Sequence, residues 1–193
     1  MTTRSRLGLI ARRFLIPRSF VTLYGLARWR ANISMRAEVE IGPTLHLGRG
    51  TTISSFTKIK VADGPLTTGE KCGFGTGCFL ATGPAGIEIG DHVIFGPNVS
   101  IIGVNYRYQL LDVPLDEQGC TSIGIRIGRN VWVGANSVIL DGTVIGDNSI
   151  VVAGSVVNRR FPPNCIIQGN PAKVLLQRAA SDLARDDRCL KSC

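Results

Sequence analysis

His46 and His92 are the only imidazoles in the chain. Histidine is the commonest general base, because its ordinary pKa of about 6.5 lies close to the working pH. His92 is the fourth residue of a six-residue unit and is expected to point outward. His46 is the sixth residue of its unit and lies near the N-terminal end, so His92 is the better placed candidate base. Two histidines do not make a three-imidazole zinc site. The six cysteines, Cys72, Cys78, Cys120, Cys165, Cys189 and Cys193, include no C-x-x-C pair. A metal centre or a disulfide framework lacks its expected spacing, and no metal is expected. Cys72 and Cys78 fall on the six-residue rhythm and read as small buried thiols, which suits a reducing cytoplasm.

The charge is unevenly placed. Lysine plus arginine number 22 against 14 acids, a formal net charge of +8. Residues 1–36 hold eight arginines (Arg4, Arg6, Arg12, Arg13, Arg18, Arg28, Arg30 and Arg36), no lysine and no acid, so the remainder is formally neutral. Apolar residues recur among them at helical spacing: Leu7, Ile10, Phe14 and Leu15, then Phe20, Leu23, Tyr24 and Ala27. This segment reads as a basic amphipathic arm of one or two short helices, broken near Pro17. One role for it is contact with an anionic membrane surface. The other is packing across the end of the fold or on a neighbouring subunit. No nucleic-acid motif accompanies the arginines, so a nucleic-acid partner is not expected. No stretch approaches the ~18 apolar residues of a membrane span. Leu7 to Ile10 is too short for a secretory signal.

The element that must position any site is a repeat. Bulky aliphatics or Phe recur every sixth residue at Ile41, Leu47, Ile53 and Ile59, at Ile89, Phe95 and Ile101, and at Ile127, Val133, Ile139, Ile145, Val151 and Val157. Small or β-branched residues sit four places after each, as at Val93, Val99, Val131, Ser137, Thr143, Ser149 and Ser155. Gly90, Gly96, Gly128, Gly134 and Gly146 follow the bulky residue, where glycine permits an unusual φ. Three such units give about 18 residues per turn of a triangular coil, an all-β solenoid. Both classes of residue point inward, and Phe95 should have smaller neighbours. The rhythm skips at 62–69 and 83–86. It lapses altogether over 102–126, a length of loop that is usually functional. Arg159 to Pro163 is expected to end the coil, and 174–188 to form a terminal capping helix. The expected organisation is therefore an arm over 1–36, a coil over 37–173 with the loop extruded, and a helix or tail over 174–193.

Three strings carry a resemblance: Ile127 to Asn136 (IGRNVWVGAN), Val152 to Val157 (VAGSVV) and Gly169 to Val174 (GNPAKV). They resemble the hexapeptide-repeat acyltransferases of the left-handed β-helix superfamily, in the sugar and polysaccharide O-acetyltransferase branch that includes maltose and galactoside acetyltransferases. The resemblance covers residues 41–175. It implies a left-handed parallel β-helix, a homotrimer, acetyl-CoA as donor and a sugar or glycan hydroxyl as acceptor. Beside it, the basic arm motivates a membrane-proximal acceptor such as an intermediate of surface polysaccharide, in a protein expected in the cytoplasm. The resemblance implies a donor groove between subunits lined near Trp132, Ala135 and Ala153, with Arg159, Arg160 and Lys173 suited to the phosphates.

The same resemblance exposes a departure. In this family the long loop carries the catalytic histidine in a frame D-H-N-H-G-Y, followed by E-Q-G. Here it reads Gly103-Val104-Asn105-Tyr106-Arg107-Tyr108, then Glu117-Gln118-Gly119. Tyr106 stands where the general base is expected. A phenol of pKa about 10 stays protonated at neutral pH, and general-base help is worth about 10²–10⁴ in rate. The candidate catalytic residues are accordingly Tyr106, Asn105 and His92. Two readings stand: an O-acetyltransferase that works without the histidine, and a trimeric binding or scaffold homologue with impaired catalysis.

Overall fold

In the computed structural model of the protein, residues 17–178 are described. The bulky inward side chains decide the architecture, because they stack into a single axis and the backbone wraps around them in three flat parallel faces. The first face carries Asn32–Ile33, Thr52–Ile53, Gly73–Phe74, Ile94–Phe95, Trp132–Val133, Ile150–Val151 and Cys165–Gly169. The second carries Glu38–Val39, Lys58–Lys60, Phe79–Ala81, Ser100–Ile102, Val138–Leu140 and Val156–Val157. The third carries Leu45–His46, Leu66–Thr68, Ile87–Ile89, Ile125–Ile127, Val144–Ile145 and Arg160–Phe161. Strands of two or three residues alternate inward and outward side chains, as in Ile87, Glu88 and Ile89.

The expected interior axis is present. Val133, Ile139, Ile145, Val151 and Val157 are all buried, each stacked in register on the rung below. The small positions are buried too, and their polar atoms are spent on the next rung's backbone. Thr57 Oγ1 donates to the Gly75 carbonyl at 2.8 Å, and Thr143 Oγ1 to that of Val157 at 3.0 Å. Buried hydroxyls are tolerated only on such terms.

Several expectations need correction. The 18-residue turn holds only where Arg126 pairs with Val144, Trp132 with Ile150 and Val138 with Val156. Earlier turns are longer: Asn32 pairs with Thr52 and Thr52 with Gly73. The extra residues sit in turns around Gly42 to Thr44, Ala62 to Pro65 and Gly83 to Gly86, so Leu66–Thr68 is a strand rather than loop. Cys72 and Cys78 take small positions, their thiols donating to the Gly90 and Gly96 carbonyls at 3.1 and 3.2 Å. Phe74 and Leu80 fill the bulky slots two residues later, while Thr76 is exposed. Phe95 has a large neighbour, not a small one: Phe74 stacks on it with ring centroids 4.9 Å apart.

The glycines after the bulky residues are not turning corners. Gly134 has no left-handed φ; a Cβ there would meet Ala153 N at 2.5 Å. Left-handed corner positions include His92, Asn98, Asn130, Asn136, Asn148 and Asn164, compact polar residues that accept that conformation, and also Phe56, Lys71 and glycines such as Gly77 and Gly154. At one corner three of them form a ladder, Asn130 Nδ2 donating to Asn148 Oδ1 at 2.8 Å and Asn148 Nδ2 to Asn164 Oδ1 at 3.1 Å.

The ends also differ from expectation. The coil begins at Asn32, before residue 37, because Asn32–Ile33 already pairs with Thr52–Ile53. Helix α1 spans Arg18–Trp29 and ends at Arg30, whose left-handed φ of 51° lets its N–H reach the Leu26 carbonyl at 3.0 Å. It lies on the first rung: Gly25 is buried against Ile33, and Val21 and Trp29 pack on the core. Its other face leaves Phe20, Leu23 and Leu26 exposed. The expected helix over residues 7–15 lies outside the described residues. At the other end, Arg160–Phe161 is a third-face strand, and the chain runs one face further before stopping. Ala172–Gln177 is then an antiparallel strand against Cys165–Gly169, not the start of a helix at 174. Its apolar residues Val174, Leu175 and Leu176 suit extended pairing. The rest of the expected capping helix lies outside the described residues.

Candidate active site

One ordered excursion interrupts the coil, leaving after Ile102 on the second face and rejoining at Ile125 on the third. It is one residue shorter at its start and two at its end than the expected 102–126. Its stem is a small antiparallel ladder that pairs Asn105–Tyr106 with Cys120–Thr121. Arg107 N extends the ladder to the Gly119 carbonyl at 3.0 Å. The foot is tied to the coil by Ser122, whose hydroxyl donates to the Gly103 carbonyl at 2.9 Å and accepts from Ala85 N at 3.2 Å. The tip is organised by Gln118. Its side chain accepts from Leu110 N at 3.0 Å and donates to the Leu110 and Val113 carbonyls at 2.7 and 2.8 Å.

This construction presents Asn105 and Tyr106 to solvent, with Tyr106 62% exposed. Tyr106 lies directly opposite Cys120 in the ladder, so both side chains share one face. Cys120 is a free, exposed thiol. A protonated phenol donates a hydrogen bond at neutral pH and does not take up a proton. What Tyr106 can offer a reacting carbonyl is therefore stabilisation of developing negative charge.

His92 is not near this stem within one chain. It occupies the corner between the third and first faces with φ 57°, its N–H donating to the Glu70 carbonyl at 2.8 Å. The excursion leaves from the corner between the second and third faces. His46 is an exposed third-face residue of the first turn.

The candidate donor residues divide into separate strips. Trp132 projects from the first face between Ile94 and Ile150 and is exposed. Ala135 and Ala153 follow it on successive rungs of the corner between the first and second faces, joined by Gly154 N to the Ala135 carbonyl at 2.9 Å. Arg159 and Arg160 lie beside the third face. Arg160 lines a shallow cavity of about 170 Å³ at the foot of the excursion, with Glu88, Arg126, Ile123 and Gly124. Lys173 is exposed in the closing hairpin opposite Gln168. The three basic residues do not form one cluster in a single chain. Arg126 Nε meets Glu88 Oε2 at 2.8 Å, but both side chains are exposed, and such a pair contributes little. Burial pushes the Cys72 and Cys78 thiols above 9.0, which keeps them protonated and unreactive. Among the described residues, no group of three or more His, Cys, Asp and Glu is arranged to hold a metal.

Ser122 was not recognisable from sequence. Its partners lie 19 and 37 residues back, and a lone serine after a cysteine and a threonine carries no signal. Gln118 stands in the noted Glu117-Gln118-Gly119 string, but its bridging of the tip is seen only in three dimensions.

With this geometry in view, the comparisons with known proteins are informative. Residues 124–159 match the family described as bacterial transferase hexapeptide (six repeats). A galactoside O-acetyltransferase of Escherichia coli is 40% identical over 91 residues, covering 46% of this chain and 43% of the relative. A galactoside O-acetyltransferase of Lactococcus lactis is 33% identical over 125 residues, covering 62% and 59%. The chain spans about half the length of the curated relatives it matches. In fold it is similar to an N-acyltransferase from Bacillus cereus in complex with dTDP and 3-hydroxybutyryl-CoA. The TM-score is 0.70 at 21% identity, covering 84% of this chain and 88% of that one.

Proposed function

We propose that this chain, which belongs to the hexapeptide-repeat acyltransferase superfamily of left-handed β-helices, moves an acetyl group from acetyl-CoA to a hydroxyl of a sugar or glycan. The observation that carries the reading is the single ordered excursion, which holds Asn105 and Tyr106 out from a coil bearing the family's most specific strings. In the reaction the acceptor oxygen attacks the thioester carbonyl, the C–S bond breaks, and the acceptor's proton ends on the departing CoA sulfur. Tyr106 donates a hydrogen bond to the carbonyl oxygen as charge builds there, and Asn105 orients the acceptor. Holding the two substrates together supplies the remaining advantage. His92 is a candidate base only where a neighbouring subunit brings its corner to the excursion.

The working unit of this proposal is a homotrimer. The donor lies between subunits, with Trp132, Ala135 and Ala153 beside its pantetheine arm. Arg159, Arg160 and Lys173 meet its phosphates, a charge match that suits arginine and lysine. The division of these basic residues between strips of one chain supports a groove shared by two chains. The acceptor class is a surface-polysaccharide intermediate on the cytoplasmic side. Membrane contact through residues 1–36 is part of the same reading. It is supported by eight arginines without an acid and by the exposed Phe20, Leu23 and Leu26 of α1. No helix among the described residues is long and apolar enough to cross a membrane.

The test is product formation from acetyl-CoA with maltose, galactosides and lipid-linked glycans, read by mass spectrometry, in wild type, Tyr106→Phe and Tyr106→His. The reading expects turnover in wild type and its loss in Tyr106→Phe. Tyr106 replacing the expected histidine favours a second reading, a trimeric binding or scaffold homologue. CoA binding without turnover by wild type, together with a gain of turnover in Tyr106→His, establishes that reading instead.

A further inference from the structure

We infer that Asp141 is a positioning residue, a buried carboxylate that fixes the returning limb of the excursion and through it the stem bearing Asn105 and Tyr106. Asp141 is only 6% exposed and is the one charged side chain buried among the described residues. A buried carboxylate is costly unless its oxygens are satisfied. Here Ile123 N donates to Oδ1 and Oδ2 at 2.9 and 2.8 Å, and Gly124 N donates to Oδ1 at 2.8 Å. These are short bonds to a charged acceptor, the strong kind.

The direction of these bonds carries the inference. An aspartate beside a corner glycine ordinarily serves its own turn. Asp141 instead reaches 17 and 18 residues back, to the last two residues of the returning limb before the coil resumes. The neighbouring Gly142 N–H donates to the Gly124 carbonyl at 3.0 Å and doubles the attachment. From Ile123 the chain runs back through Ser122, tied to Gly103 and Ala85, to Cys120–Thr121, the strand that pairs with Asn105–Tyr106. A carboxylate below the foot, a hydroxyl across it and a two-residue ladder above it therefore form one mechanical path from the coil to Tyr106. The ties of the tip lie within the excursion itself: Gln118's bonds to Leu110 and Val113, Tyr108 N to Gln109 Oε1 at 3.2 Å and Glu117 N to the Pro114 carbonyl at 3.0 Å. Stem orientation thus depends on the foot.

The kinetic arm of the test rests on the transferase reading; the structural arm does not. Asp141→Asn keeps the shape but turns an N–H₂ toward N–H donors, and Asp141→Ala removes the acceptor. The full chain of each is compared with wild type by amide exchange, by trypsin cleavage after the exposed Arg107, and by acetyl transfer from acetyl-CoA to the acceptor that wild type turns over fastest. Exchange at Ile123, Gly124 and Arg107 is expected to accelerate about tenfold or more, cleavage to quicken, and the rung residues Val138–Leu140 and Ile150–Val151 to keep their protection. Where wild type is active, kcat falls about tenfold or more while KM for acetyl-CoA stays within about threefold. A merely structural aspartate would lower protection throughout the coil, or would leave kcat unchanged. Normal protection of Ile123, Gly124 and Arg107 in either folded variant overturns the inference. If Asp141→Ala does not fold, Asp141→Asn decides. Faster exchange together with a wild type inactive on every acceptor leaves the clamp standing and sinks the transferase reading.

Discussion

Alanine substitutions at three glycines separate the two reasons a coil of this kind needs glycine. At Gly134 a new Cβ would lie 2.5 Å from Ala153 N, 2.8 Å from Ala153 Cα and 2.9 Å from Val151 O. All three are backbone atoms of the adjacent rung, so no side chain can rotate away. Bringing the closest contact to an ordinary 3.4 Å requires the rungs to part locally by 0.9 Å (3.4 − 2.5). The bond from Gly134 N to the Val151 carbonyl, now 2.8 Å, would be stretched out of range. Overpacking plus one or two weakened backbone bonds amounts to about 2–4 kcal/mol. At Gly154 the φ is +73° with no atom within 4 Å of a Cβ, so alanine meets only the left-handed conformation, at about 1 kcal/mol. At Gly73 nothing lies within 4 Å and φ is not left-handed. There alanine is neutral, or stabilises by up to about 1 kcal/mol through the unfolded chain. Urea unfolding at one fixed protein concentration measures all three, the concentration being held because self-association shifts apparent stability. Gly134→Ala should lower Tm by about 4–16 °C, against about 2–4 °C for Gly154→Ala. If Gly134→Ala is no more harmful than Gly154→Ala, rung-to-rung contact is not what selects glycine after the bulky residue.

Ile139→Ala empties a fully buried axial position and should cost about 2–5 kcal/mol in the same unfolding assay. Alkylation at pH 8 should label Cys120 quickly and Cys72 and Cys78 slowly, since burial raises the latter two thiols. A raised folded pKa leaves stability untouched below the ordinary thiol value of 9.0 and erodes it as pH rises further, so the midpoint of thermal unfolding should fall between pH 8 and pH 10.5 and the fall should shrink in Cys72→Ser/Cys78→Ser. Gln118→Ala should free the tip, raising amide exchange at Leu110 while leaving the midpoint of unfolding within about 2 °C of wild type.

How legible the fold was depends on the distance between cause and effect along the chain. Ile127 to Val157 could be read position by position because its turns are 18 residues long and each six-residue unit serves one face. The turn that holds Gly73–Phe74 and Phe79–Ala81 departs from the expected register by two residues, because the sequence offers Cys72 and Cys78 at the right spacing while Phe74 and Leu80 fill the axis. Both pairs are apolar and six apart, and only the register with Ile53 and Phe95 separates them. The strand Ala172–Gln177 was taken for the start of a helix because Val174, Leu175 and Leu176 form a short apolar run, for which periodicity does not separate the two states. In the site, the excursion was located from lost rhythm alone. Its ties were not, since Ser122 and Asp141 act on residues that are neighbours only once the rungs have stacked.

A stacked coil and a long loop proposed to carry the chemistry place opposite demands on the same chain, and the corner between the second and third faces is where they meet. The coil is held by contacts between adjacent rungs, so removing residues 103–124 from the rhythm leaves Ser100–Ile102 still paired with Val138–Leu140 and Ile87–Ile89 still paired with Ile125–Ile127. Stability therefore does not require the excursion to adopt any one orientation. The proposed acyl transfer does, because under it a displacement of an ångström at Tyr106 would undo the alignment of acceptor and thioester. Orientation has to be supplied separately, and the groups that supply it are polar ones at the foot. That explains why the only buried charge among the described residues lies beneath the one point where the coil lets the chain go.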